Sequence, residues 1–297
     1  MLSILIPVFN FNVVQLIKNI QSQAEACQIE YEIICLDDGS RNDIITANNV
    51  INELKNTSYL KNEHNIGRNQ TRLRLCEKAR YDWLLFLDAD VIPKTNQLIA
   101  NYLNLLDAGY DAIYGGFAYD KKVPEARFKL RWEYGRKHEQ VEASKRNTKP
   151  YKVIISANFI IRKSVFTTIN KKIVGNFYGE DNQFGALLKS HNIKVMHIDN
   201  EVYHLGIEPS EKYLQKKEQA ALTLLHFYKN QKHTDHENDL LSLYERLKRY
   251  RLSGLFAFFF KFLKRPLRSN LLGNSPSIMA LQLYRISYMC HMDAKSS

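Results

Sequence analysis

A chain of 297 residues, 45% hydrophobic and with ordinary glycine and proline usage, can bury one large α/β core with an appendage, which excludes a disordered or fibrous protein. The formal charge of +11 and a pI near 9.3 imply an anionic partner: nucleic acid, a phosphorylated substrate or an anionic membrane surface. Cys27, Cys35, Cys76 and Cys290 are scattered with no Cys-x-x-Cys pair, so neither a zinc ribbon nor a disulfide framework is expected, and a reducing cytosol is the natural setting.

The opening Met1-Leu2-Ser3-Ile4-Leu5-Ile6-Pro7 has no basic leader and too short an apolar run for a signal peptide. No stretch reaches the roughly 18 apolar residues of a spanning helix, so the expected location is cytoplasmic. From there apolar runs alternate with amphipathic stretches, the rhythm of a mostly parallel sheet flanked by helices. In chain order the pattern predicts a strand at 2–6, a helix at 13–26, a strand at 32–36, a helix at 43–54, a strand at 59–62, a helix at 68–79, a strand at 83–87 and a helix at 96–106. Strands at 112–119, 153–156 and 194–198 complete the sheet. Gly39-Ser40, Asn65-Ile66-Gly67 and Ile92-Pro93 punctuate the turns, and ligands of open α/β sheets bind at such strand ends.

Two carboxylate pairs follow apolar runs: Asp37-Asp38 after Ile33-Ile34-Cys35-Leu36, and Asp88-x-Asp90 after Trp83-Leu84-Leu85-Phe86-Leu87. Four acids on one sheet rim repel one another, and a bound cation, a sugar hydroxyl or a base N–H would compensate. A nucleotide sugar brings all three. Further on, 124–146 is a charged, aromatic-bearing helical segment, Ser156-Ala157-Asn158 opens a strand, and Tyr178-Gly179-Glu180-Asp181-Asn182 introduces a helix. After Gly206 the strands stop; the rest is helical, with a polar break at 229–239. Lys and Arg concentrate at 121–146 and 246–268, and a solvated basic surface is the plain reading of the first.

Several ordered motifs carry a resemblance. Ser3-Ile4-Leu5-Ile6-Pro7-Val8-Phe9-Asn10, Leu36-Asp37-Asp38-Gly39-Ser40, Asn65-Ile66-Gly67 with Thr71-Arg72, Leu87-Asp88-Ala89-Asp90, Gly179-Glu180-Asp181 and Val202-Tyr203-His204 together resemble the family 2 inverting glycosyltransferases of GT-A fold, over roughly residues 1–206. The resemblance implies a Rossmann-like α/β catalytic domain at 1–207 and a helical C-terminal extension at 208–297. It further implies a nucleotide-sugar site built from Pro7, Val8, Asn10, Asp37, Asp38, Gly67, Arg72, Asp88 and Ala89, with a UDP-sugar as donor. Asp90 would hold Mn²⁺ or Mg²⁺, with His204 as a further ligand, a diphosphate contact or a structural residue. Asp181 matches the family's catalytic base, and Glu180 would orient the acceptor or the base. Leu73 departs from the family, which has asparagine after the arginine.

Each motif has a plainer reading as well. One of Asp37 and Asp38 could accept a base N–H while the other caps a helix; Arg72 could meet a diphosphate, hold Asp37 or Asp38, or form a surface ion pair; Glu180 and Asp181 could simply begin a helix. His197 reads as structural, and His233, Asp235, His236 and Glu237 as a solvated turn rather than a metal cluster. Arg131-Trp132 lacks the context of the processive synthase signature, so one-step transfer to a glycan or polyprenyl-linked glycan acceptor is expected; Trp132 and Tyr134 could line the acceptor site or pack onto the sheet. The segment from about 246 to 268, with Leu255, Phe256, Phe258, Phe259, Phe260, Phe262 and Leu263 between basic clusters, suits the interface of an anionic bilayer at the inner face of the plasma membrane. Packing onto the catalytic domain or pairing in a homodimer is the alternative. A sugar nucleotidyltransferase would carry a glycine-rich basic loop where Pro7-Val8-Phe9-Asn10 stands, and a nucleic-acid-binding protein leaves the acidic rim unexplained, so no nucleic acid partner is expected.

Overall fold

Continuous apolar runs are buried on both faces where strands lie at the centre of a sheet covered by helices. A computed structural model describes residues 1–173, 179–230 and 236–296, with the backbone alone at 180 and 296. Its strands are β1 Leu2–Val8, β2 Tyr31–Asp37, β3 Thr57–Lys61, β4 Trp83–Leu87, β5 Val91–Pro93, β6 Ala112–Tyr114, β7 Phe117–Ala118, β8 Asn158–Arg162, β9 Val195–His197 and β10 Val202–His204. The α-helices are α1 Val14–Ala26, α2 Asn42–Asn48, α3 Arg68–Lys78, α4 Leu98–Leu103, α5 Lys129–Tyr134, α6 Ala143–Asn147, α7 Lys163–Asn170, α8 Glu180–Ser190, α9 Ser210–Asn230, α10 Asp239–Arg249, α11 Ser253–Leu272 and α12 Ile278–Ser296. The chain forms two compact units, one of residues 1–118, 141–176 and 191–206 and one of 119–140, 177–190 and 207–297.

In the first unit a seven-stranded sheet runs β3-β2-β1-β4-β8-β6-β9. Only β8 is antiparallel to its neighbours, β4 and β6; the other pairs are parallel, so the expected mostly parallel α/β sheet is what forms. Alternate positions of β1, β2 and β4, among them Ile4, Ile6, Ile33, Cys35, Leu85 and Leu87, share one core with Leu16, Ile17 and Ile20 of α1 and Leu98, Ile99 and Tyr102 of α4. A second sheet, β5-β10-β7, is small but decides the site's geometry, because its antiparallel register sets His204 opposite Val91.

Two strand expectations are corrected. Residues 153–156 form a loop, and the strand begins at Asn158. The backbone O of Ser156 accepts from Arg72 and that of Ala157 from Asp88 N, so these peptides turn to side chains and loops rather than to a neighbouring strand. The run 112–119 breaks between β6 and β7 at Gly115-Gly116, where a Cβ on Gly115 would overlap Tyr102, Asn158 and Asn200 and Gly116 has φ +92°. That crowding is a buried polar knot: Asn158 Nδ2 donates to Gly116 O at 3.1 Å and Asn200 O at 2.8 Å, and Asn158 Oδ1 accepts from Tyr102 OH at 2.8 Å.

The basic stretch at 121–146 is not simply a solvated surface, since Arg131 and Arg146 are buried. Arg146 donates to Val141 O (2.8 Å), Tyr114 O (3.2 Å), Ile198 O (2.8 Å) and His197 Nδ1 (2.9 Å). His197 in turn donates from Nε2 to Pro150 O at 2.8 Å, which fixes a neutral tautomer with a structural role. Burial, with repulsion from Arg146, pushes the pKa of His197 down to about 4 although the Pro150 bond acts the other way. The folded state therefore keeps the neutral ring, while the unfolded chain takes up a proton below about pH 6.5. Stability present above that pH is expected to fall between about 6.5 and 4, by up to roughly 3 kcal/mol. Denaturant melts across this range check it; the slope should flatten in His197→Gln.

In the second unit Leu224, Leu225, Leu240, Tyr244, Ile286 and Met289 form one cluster and Leu130, Tyr213, Leu214, Phe260, Leu281 and Tyr284 another. Here cations alternate with rings: Arg131 lies over Tyr119 (5.3 Å) and Tyr213 (5.1 Å), and Lys217 over Tyr134 (4.1 Å) and Tyr213 (4.9 Å). Trp132 is buried and its Nε1 donates to Asp120 O at 2.9 Å, so this aromatic pair packs within the unit. His233 and Asp235, and Tyr178 of the glycine-glutamate-aspartate turn, lie outside the described residues. Asp293 is buried between Lys229 (3.0 Å) and Lys248 (2.9 Å), which tie α12 to α9 and α10.

Candidate active site

The carboxyl ends of β1, β2 and β4 lie side by side, because β1 pairs with both neighbours in parallel. The loop after β1 is bound to the loop after β2: Asn10, at φ +52°, donates its N–H to Ser40 Oγ at 2.7 Å and accepts from Arg41 N at 2.9 Å. Pro7 and Val8 end β1 opposite Leu36 and Asp37.

Asp37 is wholly buried. Its carboxylate accepts from Gly39 N (3.1 Å), Ser40 N (2.7 Å) and Tyr59 OH (2.6 Å), and burial together with that last bond pushes the Tyr59 phenol up. Asp38 accepts from Asn62 Nδ2 (2.8 Å), Ile66 N (2.9 Å) and Gly67 N (2.8 Å), so it holds the turn that starts α3, where Gly67 has φ +86°. Each carboxylate has about four acceptor positions, of which these bonds use three.

Arg72 pairs with Asp88, Nη2 to Oδ1 at 2.7 Å. Arg68, one turn earlier on α3, takes Oδ2 at 2.8 Å and also donates to Ser156 Oγ at 2.8 Å. Burial opposes the charge on Asp88, but Arg68 and Arg72 outweigh it and hold the carboxyl below the usual range. Ser156 and Arg68 were not singled out from sequence; the i, i+4 spacing of Arg68 and Arg72 after the Asn-Ile-Gly turn is the signal that aims both at one rim.

Asp90 precedes β5 and His204 ends β10, and the antiparallel pairing brings them together: Leu205 N donates to Asp90 O at 2.8 Å and His204 Nε2 lies 3.5 Å from Asp90 Oδ2. Asp90 is the more open of the two, 31% exposed against 12%. Ala89 packs its methyl against the main core, and the rings of His204 and Phe117 lie nearly perpendicular with centroids 5.3 Å apart. Gly206 closes the arrangement, because a Cβ there would overlap Asp90 Oδ2 and lie 2.9 Å from its Cγ. Among the described residues no set of three or more His, Cys, Asp or Glu is gathered to hold a metal alone. A carboxylate oxygen and an imidazole nitrogen do suit a hard divalent cation that takes its other ligands from phosphate and water. With bonds of about 2.1 Å, adjacent ligands of such an ion are roughly 3 Å apart, so the Asp90–His204 spacing fits.

Asp181 is half-buried in the first turn of α8, and the side chain of Glu180 lies outside the described residues. The turn before it is set by Gly179 at φ +102°, whose O accepts from Asn182 N (3.2 Å) and Nδ2 (3.1 Å).

A family model described as Glycosyl transferase family 2 matches residues 3–169. No curated protein matches the chain. Among solved structures, residues 1–349 of S. aureus TarS align over 99% of this chain and 91% of that one with 14% identity and a TM-score of 0.50, and TarS has also been solved with UDP-GlcNAc. The mannosyltransferase PcManGT of Pyrobaculum calidifontis, solved with GDP-Man and Mn²⁺, aligns over 99% and 86% with 11% identity and a TM-score of 0.56. At such identities the likeness is one of fold.

Proposed function

This chain belongs to glycosyl transferase family 2, and from that membership we propose a metal-dependent, inverting and non-processive transferase that moves one sugar from a UDP-sugar to a hydroxyl of a glycan or lipid-linked glycan. The observation that carries the reading is the pairing of Asp90 with His204 beside Asp88 and its two arginines, since it joins motifs from distant parts of the chain at one sheet rim.

The loops after β1 and β2, with Pro7, Val8 and Asn10, receive the nucleoside. Asp37 is closed off inside its loop, so Asp38 is the better placed to read a base N–H, and Gly67 keeps the backbone low beside it. Asp88, fixed by Arg68 and Arg72, faces the ribose with Ala89. Asp90 and His204 would hold Mn²⁺ or Mg²⁺, which when bound supplies positive charge to the leaving diphosphate. Asp181 takes the acceptor's hydroxyl proton as its oxygen bonds to the anomeric carbon; the bond to the diphosphate breaks on the opposite face, inverting that carbon. Glu180 orients the acceptor or the base. The protein works peripherally at the inner face of the plasma membrane, with the basic and aromatic segment at about 246–268 as its contact.

The test is a thermal-shift and hydrolysis panel of UDP- and GDP-sugars with Mn²⁺, Mg²⁺ or EDTA. A UDP-sugar with metal at 100 times Kd should add about 2.7 kcal/mol of stability, and EDTA should remove both that and hydrolysis. If no nucleotide sugar moves the melting temperature with either ion, the reading fails.

A further inference from the structure

Helix α11 has two unlike faces. Ala257, Phe260 and Leu271 are buried in the second unit, with Phe260 edge-on to Tyr284 at 5.4 Å. The other face leaves Leu255, Phe258, Phe259 and Phe262 at 50%, 55%, 46% and 64% exposure. Positions 255, 258, 259 and 262 follow the i, i+3, i+4, i+7 stripe of a helix, so they form one ridge, and Phe258 meets Phe259 at 5.6 Å and Phe262 at 5.3 Å. Exposed Tyr250 and Leu252 lie just upstream. Contiguous large apolar groups on a surface mark a place where something docks.

Charge identifies what. From Arg246 to Met292 the sequence contains nine Lys and Arg and no Asp or Glu. Arg249, Arg251, Lys261, Lys264 and Arg265 are exposed around the ridge, whereas Arg268 is turned inward to Glu211. A second copy meeting this face symmetrically would set cation against cation, which disfavours a dimer here. An anionic bilayer offers both an apolar layer for the ridge and phosphates for its rim. The helix has too many charges to cross that layer, so it lies in the plane of the interface.

We propose that this face of α11 is a docking surface for anionic lipid. Leu255, Phe258, Phe259 and Phe262 enter the boundary between headgroups and acyl chains, and the surrounding Lys and Arg bind lipid phosphates. The acceptor is then a lipid-anchored glycan; that consequence rests on the transferase reading, while the docking itself does not.

The experiment is co-sedimentation of the full chain with vesicles of phosphatidylcholine, with and without phosphatidylglycerol, across a salt series. Binding is expected to the anionic vesicles only and to weaken with salt. Phe258→Ser with Phe262→Ser should weaken it by roughly tenfold or more per residue, and Lys261→Glu with Lys264→Glu by at least about fivefold per charge. These positions are exposed, so melting temperature and hydrolysis of soluble nucleotide sugar should stay at wild type in both variants. Absence of vesicle binding, equal binding to neutral vesicles, or a solution dimer that the same phenylalanine changes dissociate would each overturn the proposal. A chain that binds anionic vesicles yet is stabilised by no nucleotide sugar with either ion would uphold the docking surface and sink the transferase reading.

Discussion

Asp181→Asn is expected to lower sugar transfer by roughly 10²–10⁴-fold while leaving UDP affinity unchanged. The amide nearly matches the carboxylate in size but cannot take up the hydroxyl proton, so kcat should fall with little change in KM for the donor. The local structure favours a fixed role for this side chain. Gly179, with φ +102° and a would-be Cβ 3.2 Å from that of Ala220, sets the entry to α8. Asn182 then binds back to Gly179 O, and its Oδ1 accepts from Asn238 Nδ2 at 2.7 Å. Asn238 also caps α10 through Leu241 N, so the turn bearing Asp181 is pinned to a second helix start. If Asp181 served only the helix N-terminus, the amide would cost a fraction of a kcal/mol of stability, about 0.3–1, and turnover would stay near wild type. Single-turnover rates with donor and acceptor mixed at saturation separate the two.

The central strands were legible because their apolar runs are buried on both faces: β1, β2 and β4 lie where the sequence predicts them. What was not legible arises from contacts far apart in the chain. Nothing near residues 153–157 announces that Arg72 will take the carbonyl of Ser156 and Asp88 N that of Ala157, and the antiparallel β8 starts only where those bonds end. Gly115-Gly116 is a visible break signal, yet its cause is the knot of Tyr102, Asn158 and Asn200. In the candidate site the motifs named the rim but not its wiring. Asp37 and Asp38 spend most of their acceptor capacity on their own loops, and Arg72 turns to Asp88, because hydrogen-bond partners depend on how loops meet rather than on spacing within each. Gly206 marked only the end of the strand-bearing region in sequence; its crowding against Asp90 needed the pairing of β10 with β5.

That crowding leads to the other large effect. Asp90→Ala is expected to reduce metal-dependent turnover on the order of 10³-fold, because it removes the hard oxygen donor of a pair that otherwise fits a divalent ion. The second variant is Gly206→Ala. Its methyl would overlap Asp90 Oδ2 and stand 3.1 Å from Asp90 Cβ, so the carboxylate must rotate away and lose its 3.5 Å relation to His204 Nε2. Since Asp90 is about a third exposed, it can turn into solvent at little cost in stability. Gly206→Ala should therefore melt near wild type yet share with Asp90→Ala a raised Mn²⁺ requirement, read as the metal concentration needed for half-maximal UDP binding. His204→Gln retains a polar group at the paired position and should shift that concentration less than His204→Ala. If Asp90→Ala binds UDP and Mn²⁺ as tightly as wild type, the ion belongs elsewhere. If only Gly206→Ala is silent, the strand end gives way instead of the carboxylate, and the glycine is dispensable to the pair.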